Sequence, residues 1–432
     1  MLSDNIGINE RGHVTFAGYD TVDLAKQYGT PLYLMDETRI RENCRIYTEV
    51  FREAFGDNGL VLYASKANAF KRIYEVVSEE GMGTDVVSCG EIYTAMKAGF
   101  DLKKAYFHSN NKTDEDISDA ILNGVGCFVV DNIEELDAIN VIAGQAGVRQ
   151  KILLRLTPGI DPHTYDAINT GMVDSKFGTA IETGQATPMV QHAMALPNLD
   201  LAGFHCHVGS QVFDEDVYQR TLDIMLPYMA QLRSELGFTA RELDLGGGYG
   251  VRYLDSDPAI DIAARLREVC QYYIDLCAKL DYPQPKFLME PGRSIAADAG
   301  MTLYHVGTVK RITGYKSYVS IDGGMTDNAR YALYQAPYTV YNASRIKEEN
   351  DFTADVVGRC CESGDIIQPD VQLPNTTCRG DVIAVATTGA YHYSMASNYN
   401  RLGRPATVML SPEGSKVAIK RESLEHLVAL DV

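Results

Sequence analysis

The chain has 432 residues, of which 45% are hydrophobic and 22% charged, a composition typical of a soluble globular protein with more than one domain. Its net charge is −19, from 58 acidic and 39 basic residues, which disfavours nucleic acid and other polyanions as partners. The nine cysteines form no CxxC pair and have no regular spacing, so we expect neither a metal site nor a disulfide framework.

Membrane and export segments are also not expected. Residues 1–5 contain no basic region followed by an apolar run, and no window approaches the ~18 uncharged apolar residues of a membrane span. We therefore expect no membrane partner and a cytoplasmic location.

Short strand-like runs at residues 13–16 and 31–35, with a helix-like segment at 22–28 between them, precede a long alternation of strands and helices. Such alternation requires parallel strands with helical crossovers, and eight units predict a closed (β/α)8 barrel. An open doubly wound sheet is the alternative, but its nucleotide-binding form has a glycine-rich loop near the first strand, whereas the loop here follows the seventh. The predicted barrel strands are residues 60–66, 84–88, 105–109, 127–131, 151–156, 201–208, 242–246 and 286–290.

After about residue 300 the pattern changes to β-runs with little helix between them, which predicts a separate all-β domain. The N-terminal strands have no place inside a closed barrel, so we expect this domain to take them in. The expected domains are a barrel over residues 36–298 and a β-rich domain formed by residues 1–35 and 299–432. The predicted strands after residue 300 are 303–309, 318–321, 353–357, 382–386 and 406–410.

The C-terminal ends of barrel strands carry the active site in this fold class, and the first of them carries Lys66. An ammonium group at the mouth of an apolar sheet is poorly solvated, which lowers its pKa and makes its amine a nucleophile able to form a Schiff base. A lysine at a strand end is, by itself, more often a solvated surface residue. The other strand ends decide between these interpretations.

Three further strand ends complete a recognisable set of groups. The end of the sixth strand carries His207, the seventh runs into the glycine loop at residues 246–250, and the eighth ends at Glu290, with Arg293 three residues later. Bare backbone N–H groups and an arginine suit a phosphate, and a carboxylate can keep a pyridine nitrogen protonated. Together with a lysine, these groups predict a pocket for pyridoxal 5′-phosphate (PLP), with His207 flat against its ring.

Seven motifs in this order resemble those of the fold type III (alanine-racemase-like) PLP-dependent decarboxylases, most specifically the branch that acts on diaminopimelate. The resemblance extends from about residue 10 to the end. It implies decarboxylation of meso-2,6-diaminopimelate to L-lysine and CO2, the last step of lysine biosynthesis. The motifs are YASKAN, HCHVGSQ, GGGYG, EPGR, DGGMTDNARYALYQ, CESGD and GAYHYSMASNYN.

The resemblance also implies roles for individual residues. Lys66 would carry the cofactor as an imine, His207 would stack on the ring and Glu290 would face the pyridine nitrogen. Arg293 would bind the phosphate, the substrate or both, and this choice stays open. The remaining implied contacts are Ser210, Gly247 and Gly248 for the phosphate, Tyr391 for cofactor and substrate, and Arg330 and Tyr334 for the substrate.

The same resemblance implies a homodimer with active sites shared across its interface. Cys361 would reprotonate the carbanion in the partner's site, and Glu362 would bind the distal ammonium group of the substrate. Lys176 would pair with Asp365 across the dimer.

This chain departs from the family pattern at two places: Ser109 stands where many relatives have glycine, and Cys360 adds a second thiol beside the implied proton donor. Two alternatives remain. One is a related enzyme, either a decarboxylase acting on ornithine, arginine, carboxynorspermidine or a carrier-bound amino acid, or a racemase. A polyamine-type enzyme would favour aspartate in place of Glu362 and have little use for Arg330. The other is a non-catalytic PLP-binding homologue, which would be expected to lack Lys66 or Cys361.

Overall fold

The computed structural model describes residues 1–160 and 173–432. These residues form two compact units. The first, here termed the β-rich unit, comprises Met1–Glu42, Val251–Ala259 and Ile295–Val432, and the second, termed the barrel unit, comprises Asn43–Gly250 and Ile260–Ser294. The domain boundaries expected from the sequence stay a prediction.

The described secondary structure follows the chain in this order. The strands are β1 (Ile6–Ile8), β2 (Val14–Phe16), β3 (Tyr19–Asp20), β4 (Leu32–Asp36), β5 (Gly59–Ala64), β6 (Gly83–Val86), β7 (Ala105–Phe107), β8 (Cys127–Val130), β9 (Gln150–Thr157), β10 (Thr179–Ala180), β11 (Leu199–His205), β12 (Glu242–Asp244), β13 (Lys286–Met289), β14 (Gly300–Arg311), β15 (Ser317–Ile321), β16 (Val340–Asn342), β17 (Phe352–Val357), β18 (Ile366–Leu373), β19 (Val382–Ala386), β20 (Ala406–Ser411) and β21 (Gly414–Ile419). The α-helices are α1 (Thr21–Tyr28), α2 (Glu37–Phe55), α3 (Lys71–Glu79), α4 (Cys89–Lys97), α5 (Asp114–Leu122), α6 (Ile133–Ala146), α7 (Ala186–Ala195), α8 (Val217–Leu236), α9 (Ile262–Lys279), α10 (Arg293–Ala296), α11 (Arg330–Tyr334) and α12 (Leu424–Val428).

The barrel unit contains eight parallel strands that close on themselves. Their order is β5, β6, β7, β8, β9, β11, β12, β13, and β13 pairs back onto β5 with Phe287 opposite Gly59. Each predicted barrel strand overlaps one of these eight, so the closed barrel is confirmed and the open sheet is excluded. Closure brings the C-terminal ends of all eight strands to one rim.

Local sequence explains why these strands and helices form. The strand β8 is a continuous apolar run, buried at all four residues, as expected of a parallel strand covered on both faces. The helix α5 is capped by the preceding Thr113, whose hydroxyl accepts from the N–H of Asp116 while the Asp116 carboxylate accepts from the N–H of Thr113. Inside the barrel, buried side chains form one cluster: Leu62, Tyr106, Cys127, Val129, Leu153, Ala202 and Leu288.

The β-rich unit is built around the long strand β14. Its first half pairs antiparallel with β4 and β19, and its second half pairs with β15. The strand β4 lies between β14 and β20, antiparallel to β14 and parallel to β20. An N-terminal strand is thus integral to the C-terminal β-sheet, which confirms that this domain takes in N-terminal strands.

Several elements were not predicted from sequence, and the longest helix and the longest strand among them are α2 and β18. The helix α2 was not predicted, and neither was β18, which contains Pro369 and Asp370. Both residue types are depleted in strands. Asp370 has a φ of 52°, and β18 pairs with β17 through two register shifts, so this irregular pairing accommodates them. In the described part of the chain, no helix combines the length and the apolar character needed to cross a membrane.

Candidate active site

Lys66 lies directly after the first barrel strand, in a single 3-10 turn formed by Ser65–Ala67. Ser65 and Ala67 are buried, whereas the Lys66 side chain is exposed at the open end of the barrel. The turn lies against the EPGR segment, because the N–H of Ala64 donates to the carbonyl of Pro291 at 3.0 Å. A Cβ atom on Gly292 would come within 2.8 Å of the Ala64 Cβ, so this close approach favours glycine.

Glu290 follows the eighth strand and is buried between two histidines. The Nε2 atom of His108 lies 2.7 Å from Oε1 of Glu290, and Nε2 of His205 lies 3.1 Å from Oε2. Burial by itself would raise the pKa of this carboxyl, but the two imidazoles outweigh it and hold the pKa well below its usual range. Glu290 is therefore an ionised carboxylate inside the barrel rim.

Other charged groups surround this carboxylate. Burial raises the pKa of Asp85, at the end of β6, and the charge on Glu290 adds to the rise, while His108, Lys66 and Arg155 oppose it. Burial lowers the pKa of Arg155, and nearby carboxylates including Glu290 oppose that shift. Lys66 is thus electrostatically linked to the buried charges of the barrel interior, although its own side chain lies at the opening.

His207, two residues after the sixth strand, is partly exposed at the same rim. Burial, followed by the positive charges of Lys66 and Arg155, lowers its pKa well below the usual value. The imidazole is therefore neutral, which suits an aromatic stacking partner. The loop after β12 lies against it, because a Cβ atom on Gly246 would be 2.6 Å from Nδ1 of His207.

The glycine loop, Ser210 and Arg293 offer backbone, hydroxyl and guanidinium donors, and we term this group the anion cradle. A Cβ atom on Gly247 would lie 2.1 Å from the Glu290 carbonyl oxygen, and Gly248 has a φ of +137°, so neither position accepts a side chain. The buried guanidinium of Arg293 donates to Oγ of Ser210 from Nε at 3.1 Å and from Nη2 at 3.0 Å. Open backbone, a hydroxyl and a guanidinium are the donors that a phosphate requires.

A second cluster lies in the β-rich unit around Arg330. This guanidinium is buried, and its Cζ atom lies 4.6 Å from the ring centre of Tyr334 and 5.3 Å from that of Tyr391. Within residues 1–160 and 173–432, no carboxylate lies within ion-pair distance of Arg330, and its Nε atom has no hydrogen-bond partner. A buried cation in this state suits an anionic ligand.

Cys361 and Glu362 are exposed on a loop of the β-rich unit. The backbone N–H of Cys361 donates to Oδ1 of Asn400 at 2.8 Å. The neighbouring Asp365 is buried and accepts from the N–H groups of Met325 at 2.6 Å and Cys360 at 2.7 Å, which shapes the loop. The thiol and the carboxylate are therefore presented outward by an internally braced turn.

Comparisons with known proteins agree with this geometry. Residues 38–297 match the model for the pyridoxal binding domain of pyridoxal-dependent decarboxylases. The chain is 42% identical to the diaminopimelate decarboxylase of Halalkalibacterium halodurans, over 98% of this chain and 96% of that protein. It is 40% identical to the Bacillus subtilis enzyme of the same name, with the same coverage of each. The chain belongs to the diaminopimelate decarboxylase family.

Solved structures of the family share the fold along the whole chain. The diaminopimelate decarboxylase of M. jannaschii in complex with L-lysine superposes with a TM-score of 0.91 and 34% identity, covering 100% of this chain and 99% of that one. The Helicobacter pylori enzyme, also complexed with L-lysine, gives a TM-score of 0.85 at 31% identity and covers 95% of this chain and 99% of that one. The barrel with a β-rich domain is thus the architecture of the diaminopimelate decarboxylase family.

The residues predicted from sequence fall into separate groups in this structure, and their individual roles stay predictions. Arg330, Tyr334 and Tyr391 cluster in the β-rich unit, where Cys361 and Glu362 occupy an exposed loop. The pairing of Lys176 with Asp365 also stays a prediction. The barrel unit carries the other predicted residues, which are Lys66, His207, Ser210, Gly247, Gly248, Glu290 and Arg293.

Sequence reasoning assigned no role to three residues that surround Glu290: Asp85, His108 and His205. Two of them left a signal. Asp85 is an acidic residue within a short predicted strand, and His205 stands in the motif HCHVGSQ two residues before His207. His108 follows the third strand, yet nothing in the sequence links it to a carboxylate 182 positions later.

Proposed function

We propose that this chain catalyses the PLP-dependent decarboxylation of meso-2,6-diaminopimelate to L-lysine and CO2. The observation that carries the proposal is the set of groups at one barrel rim: a lysine, a neutral histidine, an ionised carboxylate and an anion cradle. Membership of the diaminopimelate decarboxylase family supports the substrate.

The residues at the rim fit PLP. Lys66 would attach the cofactor covalently, and the backbone at Gly247 and Gly248, with Ser210 and Arg293, would hold its phosphate. When bound, PLP supplies an electron sink for the negative charge left as CO2 departs. Glu290 would keep a proton on the pyridine nitrogen, since it is itself held ionised.

The substrate has one carboxylate that leaves and one that stays. Arg330 would bind the one that stays, because a buried guanidinium without an acidic partner among the described residues gains most from a carboxylate. The rings of Tyr334 and Tyr391 would fix the orientation of that guanidinium.

The proton that replaces CO2 requires a donor, and we assign this role to the Cys361 thiol of a second subunit. Glu362 of the same loop would bind the distal ammonium group. The exposure of both side chains in the single chain supports a homodimer in which each subunit completes the other's site.

A substrate panel with added PLP tests the reaction. Release of CO2 should be rapid with meso-diaminopimelate and far slower with lysine, ornithine and arginine, which separates this activity from that of other decarboxylases of the fold. Turnover of ornithine or arginine in preference to meso-diaminopimelate would contradict the proposed substrate.

Borohydride reduction followed by peptide mapping tests the attachment point. The pyridoxyl label should appear at Lys66 and be lost in Lys66→Ala. The matched control is Lys71→Ala, an exposed lysine at the start of α3, which should retain the label. A label at any other position would contradict the proposed site.

A further inference from the structure

The environment of Glu290 contains a feature that the proposed reaction does not by itself require, namely two buried histidines from different strands. His108 follows β7, His205 ends β11 and Glu290 follows β13. We propose that His108 and His205 are positioning residues. They contact the two oxygens of Glu290 and orient its ionised carboxylate toward the pyridine nitrogen of the cofactor. This inference rests on the proposed function.

His205 acts as a fixed donor. The side chain is fully buried, and its Nδ1 atom has no hydrogen-bond partner in the described part of the chain. Burial lowers the pKa of His205 to about 3, so the ring is neutral at physiological pH. A neutral ring has one N–H, and the 3.1 Å contact with Glu290 places it on Nε2.

His108 lies against the other oxygen, with Nε2 2.7 Å from Oε1 at ion-pair distance, and its own position is fixed on both sides. Its backbone N–H donates to the carbonyl of Val86 at 2.8 Å, and its ring packs edge-on against His205, with centroids 4.8 Å apart at 72°. The loop that follows is tied down by Lys112. The Nζ atom of this buried lysine donates to the Ser109 carbonyl at 3.3 Å and to Glu135 at 2.5 Å.

A carboxylate has about four lone-pair sites, of which His205 uses one on Oε2, while His108 lies 2.7 Å from Oε1 without the alignment of a hydrogen bond. The remaining sites stay available to a further donor such as a protonated pyridine nitrogen. Because both oxygens are already held, the carboxylate cannot rotate away, and preorganisation of this kind avoids reorganisation when charge develops on the ring.

The same three side chains also form a set that could coordinate a metal ion, since their ligand atoms lie within 4.8 Å of one another. The distances favour direct contact between the side chains over coordination of a metal ion. Ligands of a tetrahedral zinc ion at ~2.0–2.1 Å are separated by about 3.3 Å, whereas His108 and Glu290 are 2.7 Å apart. That separation is too short for two ligands of one ion, so these two side chains are in direct contact with each other.

The test compares two substitutions at each histidine in the full-length enzyme. His205→Leu and His108→Leu remove the ring N–H and keep a side chain of similar volume. His205→Gln and His108→Gln keep an amide N–H near the position of Nε2. The control is His192→Gln on α7, whose ring contacts Asp137 at the surface. Circular dichroism checks folding, and 15N NMR of bound [15N-pyridine]PLP reports protonation of the nitrogen without any turnover.

We expect each Leu variant to move the 15N signal toward the unprotonated form and to lower kcat about ten- to a hundredfold. A loss of this size corresponds to the free energy of one polar contact to a charged group. The Gln variants should restore the signal in part, and the control should match wild type. Should His205→Leu fail to fold, His108→Leu decides the question.

Three results would overturn the proposal. One is a folded Leu variant with the wild-type 15N signal and kcat. Another is loss of kcat on chelation of a bound divalent ion, because a metal would then hold Glu290. The third is failure of the wild-type chain to bind PLP or to release CO2 from meso-diaminopimelate, which refutes the proposed function and is recognised without any variant.

Discussion

Arg330 lies with its guanidinium carbon 5.3 Å from the ring centre of Tyr391, buried in the β-rich unit and without an acidic partner among the described residues. A buried, unneutralised cation is costly, and an anionic ligand bound to it would offset that cost. This relationship supports the assignment of Arg330 to the carboxylate that stays on the substrate.

Substitution Arg330→Lys should therefore weaken substrate recognition and leave the cofactor site intact. A lysine cannot reproduce the bidentate contact, so we expect kcat/KM for meso-diaminopimelate to fall about ten- to a hundredfold. Steady-state kinetics and the absorbance of bound PLP measure the two effects. Arg52→Lys, an exposed arginine on α2, is the control. An unchanged KM and kcat in Arg330→Lys would remove this residue from substrate binding.

Cys361→Ala should retain bound PLP and lose most of its turnover. A general acid contributes about 10²- to 10⁴-fold, so we expect kcat to fall by at least 100-fold. Cys378→Ala, at another exposed cysteine, should leave kcat unchanged.

Mixing inactive Lys66→Ala with inactive Cys361→Ala subunits should restore part of the activity, because one of the mixed sites then has both residues. Absence of recovery after verified subunit exchange would contradict a shared site.

Asp327 makes stability depend on pH. It is buried against Tyr304 and the N–H of Gly324, with Asp322 and Asp365 near it, and burial raises its pKa to about 7. Between the unfolded pKa of about 4 and the folded value, the folded state keeps a proton that the unfolded state releases. The stabilisation is therefore fully present below about pH 4 and is lost as the pH rises to about 7.

Replacing this group with Asn removes the titration. Relative to wild type, Asp327→Asn should gain thermal stability at pH 8 compared with pH 5, as measured by the midpoint of thermal unfolding at both values. Asp57→Asn, at an exposed position after α2, should show the wild-type dependence. An equal shift of Asp327→Asn at both pH values would refute the assignment.

Ser109 has a φ of +143°, a backbone conformation that residues with a Cβ atom rarely adopt. The bond from Lys112 to its carbonyl helps to hold it there. Ser109→Gly should relieve this strain and raise the free energy of unfolding by about 1 kcal/mol. Ser234→Gly, inside α8, should lower it by a similar amount. A lower unfolding midpoint in Ser109→Gly would show that the serine side chain stabilises the loop more than the backbone strain costs.

Much of the architecture can be predicted from local pattern. Several barrel strands are short apolar runs such as β8, and several are followed by capped helices such as α5. These features depend on neighbours within a few residues, so they can be predicted from the sequence. The place of Lys66 at a strand end and the glycine loop after the seventh strand were predicted for the same reason.

The sequence by itself therefore determined the alternation of strands and helices that closes the barrel and the succession of β-strands after residue 300. It also determined the motifs of the diaminopimelate decarboxylase family. Only the tertiary structure decided that His108 and His205 meet on Glu290, that Lys112 braces the loop beside them and that Arg330 is buried without an acidic partner among the described residues. The physical reason is separation along the chain. His108 and Glu290 are 182 positions apart, and barrel closure, which pairs β13 with β5, brings their strand ends to one rim.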